Sequence, residues 1–431
     1  MSAGSDPNAG PDQGAPADQG PAAEQGPPNG PGQPSPADAM RPRSTTRKGF
    51  PWTEVWTTLG AIFLALVVGA VLMVVTDPEV VSKYAYFFAR PGDALSASWD
   101  KISTAYLALL KGAVGGWVPI TESTAQAAPL IMAGLGVALA FRTGLINIGG
   151  QGQAIWGAIL AAYVGFTLHL PPVLQLVAAI IAGIIGGAIW GGIVGWLKAR
   201  TGAHEVIVTI MLNYVAVGML AYLLTTTAFR RPGRTDPISP VVDWNATFPR
   251  LTGSQLHLGF LLALAAAVLV WWILERSTIG FSLKAVGMNQ HAAATAGMSV
   301  SRATILAMLI AGALAGLAGA DAALAPSANG VPVPLSAGIV GTVGFDAVTV
   351  ALLGRSKPLG VVLAGLLFGA LHAGGLAMQS SAGTPLTLTT VLQAVIVLFV
   401  AAPALVTRIL PFIKARKQAV TGVPSSTGAL S

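Results

Sequence analysis

The chain alternates long apolar stretches with short polar segments. A hydrocarbon core about 30 Å thick requires about 20 mostly apolar residues for each helix that crosses it. Ten stretches have this character and are predicted to be membrane spans: 55–76, 123–141, 152–169, 172–197, 204–228, 258–275, 303–325, 336–354, 358–376 and 387–407. The pattern predicts an all-α polytopic membrane bundle of about ten transmembrane helices, and an even number of crossings places both termini on one side.

The basic residues orient this bundle. Positive charge accumulates in the cytoplasmic segments of membrane proteins, above all in short loops. With the N-terminus inside, 16 of the 24 Lys and Arg residues lie in inner segments, eight lie in outer segments and none lies within a predicted span. Both termini are therefore predicted to be cytoplasmic. In the long outer segment 77–122, residues 102–118 are predicted to form an interfacial or short packing helix, with a further span as the alternative.

Composition supports the membrane assignment and excludes other classes of protein. Only 10% of the residues are charged and the mean hydropathy is +0.69, whereas soluble domains carry about 25% charged residues. The chain has no cysteine, which excludes disulfide frameworks and thiolate metal sites. No Lys follows a Gly, so a Walker A loop is absent. We expect no enzymatic activity, no metal or other cofactor and no nucleic-acid partner.

The N-terminal region differs from the membrane body. Residues 1–40 contain nine Pro and seven Gly but no Lys, Arg or aromatic residue. Such a segment cannot bury enough apolar area to offset the entropy of ordering it. We predict that residues 1–48 form a disordered Pro/Gly-rich cytoplasmic tail, and that residues 418–431 form a flexible C-terminal tail.

Two of the predicted spans carry small residues at helical spacing. Such stripes let helix backbones approach each other closely inside a membrane, where no hydrophobic drive brings helices together. We interpret them as packing surfaces in preference to solute contacts. The residues are Gly183, Gly187, Gly191 and Gly195 in one span, and Gly312, Gly316 and Ala320 in another.

Three acidic residues lie in or against spans, where an ionised carboxylate costs about 2.5–3.5 kcal/mol on insertion scales. Glu205 forms one helical stripe with Thr209 and Asn213, and we expect this stripe to face the bundle interior as pathway lining or as interhelical hydrogen bonds. Asp346 follows a Gly-rich stretch and is expected to cap a new half-helix after a partly re-entrant segment 336–345. Asp321 is expected to reach interfacial water.

A Gly-rich segment at 142–153 carries three amide side chains, those of Asn147, Gln151 and Gln153. Glycine permits unusual backbone and close approach, while amides offer neutral donors and acceptors. The segment suits recognition of a polar, uncharged solute, with a plain tight turn as the alternative.

The inner segment 275–302 is long enough for a short helix across the cytoplasmic face, and its small residues could be clasped by another protein. It resembles the coupling loop of the permease subunits of bacterial ABC importers for simple sugars, nucleosides and branched-chain amino acids. In that family the loop engages a separate ATPase. The residues that the resemblance assigns to this role are Lys284, Gly287, Asn289, Ala292, Ala293 and Gly297.

Three further motifs, at 141–149, 204–214 and 344–360, are similar to signatures of the nucleoside branch of this family. The resemblance covers most of residues 123–407. The chain departs from the family at Gln151, where members often carry Glu, and at Gln290, where Pro commonly follows the coupling-loop Asn.

The resemblance implies a multi-pass permease of the bacterial cell membrane, with 49–417 as the permease domain surrounded by membrane lipid. It implies three protein partners: a second permease, a cytoplasmic ABC ATPase that hydrolyses the ATP, and an extracellular or periplasmic solute-binding lipoprotein. Transport would follow alternating access. We expect the route of a nucleoside or similar solute to lie beside Asn147, Gln151, Gln153, Glu205, Thr209, Asn213 and Asp346.

Three other functions compete with this interpretation. Within the family, the solute could instead be a simple sugar or a branched-chain amino acid. A proton-coupled secondary transporter would use Glu205, Asp321 and Asp346 as relay groups. A membrane scaffold without a pathway is the third alternative.

Overall fold

The computed structural model of the chain describes residues 52–251 and 254–410. The predicted tails 1–48 and 418–431 lie outside the described residues. Helices, connected by loops, form the secondary structure, and the described ranges contain no β-strand. In chain order the helices are α1 (Trp52–Thr76), α2 (Pro78–Tyr84), α3 (Pro91–Val114), α4 (Trp117–Arg142), α5 (Gly150–Thr167), α6 (Pro172–Thr201), α7 (Glu205–Leu223), α8 (Leu258–Arg276), α9 (Thr278–Met288), α10 (Gln290–Thr295), α11 (Val300–Leu324), α12 (Val343–Leu353), α13 (Pro358–Ala382), α14 (Leu386–Ala401) and α15 (Pro403–Ile409).

Each of the ten predicted spans contains one of these helices. Seven of the described helices are long and apolar enough to cross a membrane, namely α1, α4, α6, α7, α8, α11 and α13. Helix α5 has 18 residues and is less apolar because Gln151 and Gln153 lie near its start. Helices α12 and α14 are apolar but shorter than a full span. The all-α polytopic fold is therefore confirmed.

Helices α4 and α11 form the centre of the bundle, since 72% of the most apolar part of each helix is buried. Helix α11 packs on α4, α5 and α6, and α4 also packs on α8, α12 and α13. A separate apolar cluster joins α1 to α3, α13, α14 and α15. The bundle thus has a central group of helices and a flank that contains the first and last helices described.

The glycine stripes of α6 and α11 pack against each other. Gly187 lies against the backbone of Gly312 and Gly316, and Gly183 lies against Ala320. A Cβ atom at Gly187 would collide with the backbone of α11, and one at Gly183 would collide with the Ala320 side chain. The packing role predicted from the sequence is therefore confirmed, and the two stripes are partners of one another.

The apolar segment 102–118 forms the C-terminal part of α3 and the start of α4. Helix α3 runs along the end of α13, where the Lys101 Nζ donates to the Ala382 carbonyl oxygen at 2.8 Å. Gly112 packs beside Gly374 and Ala377 of the same helix. These contacts agree with the predicted packing helix, although the helix is longer than the segment suggested.

The predicted span 336–354 is broken. Residues 336–342 form turns, and α12 has 11 residues, which gives it a length of about 16 Å at 1.5 Å per residue. The predicted break is confirmed, but Asp346 does not cap the new helix. Thr342 occupies the N-cap position, and Asp346 lies in the first turn, where it accepts a hydrogen bond from the Thr342 hydroxyl at 2.8 Å.

The expectation that Asp321 reaches interfacial water is wrong. Its side chain is 2% exposed at the end of α11. The Asp321 Oδ1 has no hydrogen-bond partner and lies 3.7 Å from Nδ1 of His257, which is itself buried. Because Gly259 has no side chain, the carboxylate fits against the start of α8 and is covered from solvent.

Candidate functional site

Two stretches of non-helical backbone meet at the start of α5. One is the loop 143–149 that follows α4, and the other is the turn segment 336–342 that precedes α12. The Gln151 side chain, in the first turn of α5, bonds to the second stretch and to the first turn of α12: its Nε2 donates to the Gly341 carbonyl oxygen at 2.7 Å, and its Oε1 accepts from the Gly344 N–H at 2.9 Å. Non-helical backbone at membrane depth is tolerated only where protein or a cavity surrounds it, so this junction is the candidate site.

The other predicted amides stabilise the loop 143–149. Asn147 and Gln153 pair through their side-chain amides at 3.2 and 3.3 Å, and the Asn147 Oδ1 also accepts from the Gly149 N–H at 2.9 Å. All the partners are protein groups, and both amide side chains are buried. The pair therefore holds the turn that leads into α5.

Helix α7 covers this loop with the predicted stripe of polar residues. The Asn213 Oδ1 accepts from the Gly152 N–H at 2.8 Å, and its Nδ2 donates to the Ile148 carbonyl oxygen at 3.0 Å. Thr209 is fully buried against Gly149. Since Glu205 is 7% exposed as well, the prediction that the stripe faces the bundle interior is confirmed.

Glu205 forms an ion pair at the start of α7. Its Oε2 lies 2.5 Å from the Lys198 Nζ of α6, and its Oε1 accepts from the Ile146 N–H at 3.4 Å. The Lys198 side chain is 26% exposed, whereas the Glu205 side chain is 9% exposed. The carboxylate therefore ties α6, α7 and the loop 143–149 together.

The structure brings six of the seven predicted route residues into one contiguous cluster, and Asp346 lies on α12 two residues beyond Gly344. The side-chain amides of this cluster are bonded to protein groups. Their contact with a transported solute stays a prediction. In the structure these amides hold the backbone at and beside the two non-helical stretches in place.

The sequence interpretation missed three members of this site. Lys198 was counted only as an inner charge, although its position seven residues before Glu205 offered a signal. Trp156 and Trp190 stack with ring centroids 5.1 Å apart, and their buried Nε1 atoms have no hydrogen-bond partner. Nothing in the sequence pattern indicates that these two rings meet.

The predicted coupling segment forms two short helices, α9 and α10, joined at Asn289. The Asn289 side chain caps α10 by accepting from the Ala292 N–H at 3.0 Å, and Gly297 follows α10 with a left-handed φ of +82°. Lys284 pairs with Glu275 of α8 at 2.8 Å. Ala292 is exposed, whereas Ala293 is buried.

The coupling helices contact the loop that leads to the candidate site. Gly287 of α9 lies directly against the Arg142 carbonyl oxygen, where a side chain would collide with that oxygen. Gly144, with a φ of +74°, faces the backbone of Gly287. The opposite side of the segment is open, since Met288 is 84% exposed. A partner on this side would therefore press on the same loop that carries Asn147.

The sequence pattern of one protein family matches residues 120–401, and that family is described as the permease component of the branched-chain amino acid transport system. This chain belongs to that permease family. The match includes the candidate site and both coupling helices. As a family member the chain is a multi-pass protein of the cell membrane and a permease subunit of an ABC transport system.

Curated relatives align with most of the permease. A guanosine ABC transporter permease protein of Bacillus subtilis is 39% identical over 343 residues, which cover 79% of this chain and 91% of that protein. A nucleoside ABC transporter permease protein of Lactococcus lactis is 35% identical, covering 72% and 87%. A glucose ABC transporter permease protein of Haloferax volcanii is 32% identical, covering 81% and 87%. No solved structure matches the chain.

Proposed function

We propose that this permease forms the membrane route for a nucleoside in an ATP-driven importer. The observation that carries the proposal is the 39% identity to a guanosine permease over 91% of that protein's length. The nucleoside permease of Lactococcus lactis supports the same solute class. The remaining subunits would be a second permease, a cytoplasmic ABC ATPase and a solute-binding lipoprotein outside the membrane.

The geometry of the site is compatible with a neutral, polar solute. The junction of 143–149 with 336–342 is held by amide groups, which carry no charge. The acidic group nearest to the loop, Glu205, is already neutralised by Lys198. We place the solute route beside this junction, where backbone N–H and carbonyl groups are held close together. The cluster residues would then act by shaping the route.

The exposed side of α9 and α10 is the proposed docking surface for the ATPase. Closure of the ATPase would move these helices, and Gly287 would transmit that movement to the Arg142–Gly144 backbone. The loop carries the movement onward to Asn147 and Gln153. In this mechanism the permease needs no nucleotide site of its own.

The test is uptake by the complete complex in proteoliposomes, with the binding protein outside and ATP inside. Radiolabelled guanosine should accumulate with ATP and not without it, and a protonophore should leave the uptake unchanged. Unlabelled nucleosides should compete, whereas glucose and leucine should not. Uptake that ATP does not drive, or that a protonophore abolishes, would contradict the mechanism.

A glucose importer is the second candidate, because the Haloferax volcanii relative is 32% identical over 81% of this chain. The same proteoliposomes distinguish the two. ATP-dependent accumulation of radiolabelled glucose, with no accumulation of guanosine, would favour the sugar and reject the nucleoside.

A further inference from the structure

The start of α12 lacks a local cap. The first N–H groups of a helix have no partner within the helix and are usually satisfied by a side chain at the N-cap. Here the N-cap residue Thr342 makes no such side-chain bond, and its hydroxyl donates to Asp346. The Gly344 N–H is bonded instead by Gln151, which lies 193 positions away in the sequence.

Gln151 satisfies both sides of the break at once. Its amide accepts from Gly344 in the first turn of α12 and donates to the Gly341 carbonyl just before the helix begins. An amide side chain has the same donor and acceptor groups as a peptide bond. Gln151 therefore makes with the Gly341 carbonyl and the Gly344 N–H the bonds that another backbone segment would otherwise make. A residue with only an acceptor would leave the Gly341 carbonyl without this partner, and a residue with neither group would also leave the buried Gly344 N–H without one.

The fit around Gln151 has no spare room. Gly150 and Gly344 face each other, and a Cβ atom on Gly344 would come within 2.5 Å of the Gly150 carbonyl carbon. The same Cβ atom would also overlap the backbone of Gln151. Close contact and two hydrogen bonds therefore act on the same few atoms at the start of α12.

The turn segment is also fixed at its other end. Ser239, from the long segment between α7 and α8, accepts from the Leu335 N–H through its hydroxyl at 2.8 Å and donates its own N–H to the Leu335 carbonyl at 3.1 Å. Residues 336–342 are thus held between Ser239 and Gln151. Between these two ties, Val340 is buried in the core, whereas Ala337 and Gly338 are exposed, and no atom lies within 4 Å of the position that a Cβ atom on Gly338 would occupy.

We propose that Gln151 is a positioning residue that fixes the segment 336–342 and the start of α12 in the transport-competent arrangement. The proposal deepens the proposed function, since it assigns the amide to the wall of the route. Without the amide, we expect the segment to become more mobile at its C-terminal end, next to α12, while the rest of the bundle keeps its packing.

A single nitroxide label at Ala337→Cys measures this freedom, because the chain has no cysteine to label elsewhere. The label is read in the purified complete complex by electron paramagnetic resonance, with and without Gln151→Met. We expect the mobile fraction to rise by about tenfold in the variant, as the loss of roughly 1.4 kcal/mol of buried hydrogen bonding implies. ATP-driven uptake by the same variant should fall in proportion to the restrained fraction that remains.

Gln175 provides the matched control. It is a fully buried glutamine whose amide also bridges backbone groups, accepting from the Leu170 N–H and donating to the Gly165 and Leu168 carbonyls. Gln175→Met removes a similar set of bonds at the other end of α5. It should leave the spectrum of the label at 337 unchanged.

Three results decide the proposal. A mobile label with Gln151→Met and a restrained one with Gln175→Met support it. An unchanged label in both variants, or equal mobility in both, overturns it. If Gln151→Met does not yield folded complex, the nearly isosteric Gln151→Glu replaces it, since its carboxylate keeps the acceptor for the Gly344 N–H and removes the donor to the Gly341 carbonyl; a restrained label in that variant also overturns the proposal. The spectra are recorded without solute and test the role of Gln151 separately from the proposed function. A wild-type complex that imports no nucleoside would refute the proposed function, and the spectra would still decide this inference.

Discussion

At the scale of single residues, the buried polar side chains of the candidate site are held by partners on neighbouring elements. Glu205 is the clearest case, because its carboxylate is almost fully covered and depends on Lys198 across the α6–α7 turn. Lys284 and Glu275 form an ion pair of similar geometry that stays more open to solvent. The two pairs therefore allow buried and exposed charge interactions to be compared within one chain.

Replacing Lys198 with Met should destabilise the permease by about 3 kcal/mol, because it leaves the Glu205 carboxylate buried without its partner. The double variant Lys198→Met with Glu205→Gln should recover much of this loss. Thermal unfolding in detergent measures both. Lys284→Met is the control and should cost less than about 1 kcal/mol; an equal loss from both lysine variants would contradict the burial argument.

Asp77 gives a pH-dependent prediction. The hydrogen bond from Lys101 holds the pKa of Asp77 below its usual value, and the same carboxylate caps α2. Its stabilising effect is therefore complete above the unfolded-state pKa and is lost as the pH falls through the lower folded-state pKa. Asp77→Ala should lower the unfolding temperature at pH 7, with a cap loss of about 1 kcal/mol, and the difference from wild type should shrink as the pH falls below the ordinary pKa of 3.8 and through the lower folded-state pKa.

For the polar stripe of α7, the sequence predicted that the side chains are buried but did not predict their hydrogen-bond partners. The spacing of Glu205, Thr209 and Asn213 places them on one face of a helix, and that face is buried. The partners of Gln151 could not be predicted in this way, because Gly341 and Gly344 come from a distant segment. They offer backbone atoms, which leave no mark on the amino-acid pattern.

At the scale of helices, packing depends on small residues that face each other. Gly187 of α6 and Gly312 of α11 bring two backbones into direct contact. Each stripe was recognisable from its four-residue spacing, since a smooth surface predicts close approach. Their pairing was not recognisable, because a smooth surface does not specify its partner.

Gly312→Ala should destabilise the permease by about 1–3 kcal/mol, because the added Cβ atom would overlap the Gly187 carbonyl. Gly218→Ala on α7 is the matched control, since nothing lies within 4 Å of the position that its Cβ atom would occupy. Unfolding temperatures of both variants in the same detergent make the comparison. A loss at Gly218 as large as that at Gly312 would contradict the packing assignment.

The sequence predicted the break before α12 correctly but assigned its cap to the wrong residue. The glycines at 341 and 344 signalled it, and the segment is indeed non-helical up to residue 342. Asp346 was wrongly given the cap, because acidic residues are common both at the N-cap and in the first turn. The start of α12 at Val343 distinguishes the two positions, since it makes Thr342 the N-cap residue and leaves Asp346 inside the first turn.

At the scale of the whole molecule, the coupling helices α9 and α10 carry exposed side chains beside buried ones. Met288 and Ala292 point away from the bundle, whereas Ala293 is 4% exposed. The sequence located this segment through its resemblance to the family, but composition could not separate the face that packs inward from the face left open.

Cysteine crosslinking tests whether the ATPase occupies this surface. Met288→Cys and Ala292→Cys should each crosslink to the ATPase subunit in an active complex, and the yield should change when ATP is added. Ala293→Cys serves as the control and should react little, because its side chain is covered. Crosslinks from Ala293 alone, or from none of the three positions, would refute the docking proposal.

The flank of the bundle has a consequence for how the permease is assembled during synthesis. Helix α1 packs mainly on α14 and α15, the last two helices of the described residues. Helices emerge from the N-terminus onward, so α1 must reside in the membrane without its main packing partners until α14 and α15 are made. It is accordingly the most apolar of the candidate crossings and among the least enclosed by other helices. In a chain truncated before residue 386, we expect the central helices to stay packed together and α1 to lack its main packing partners.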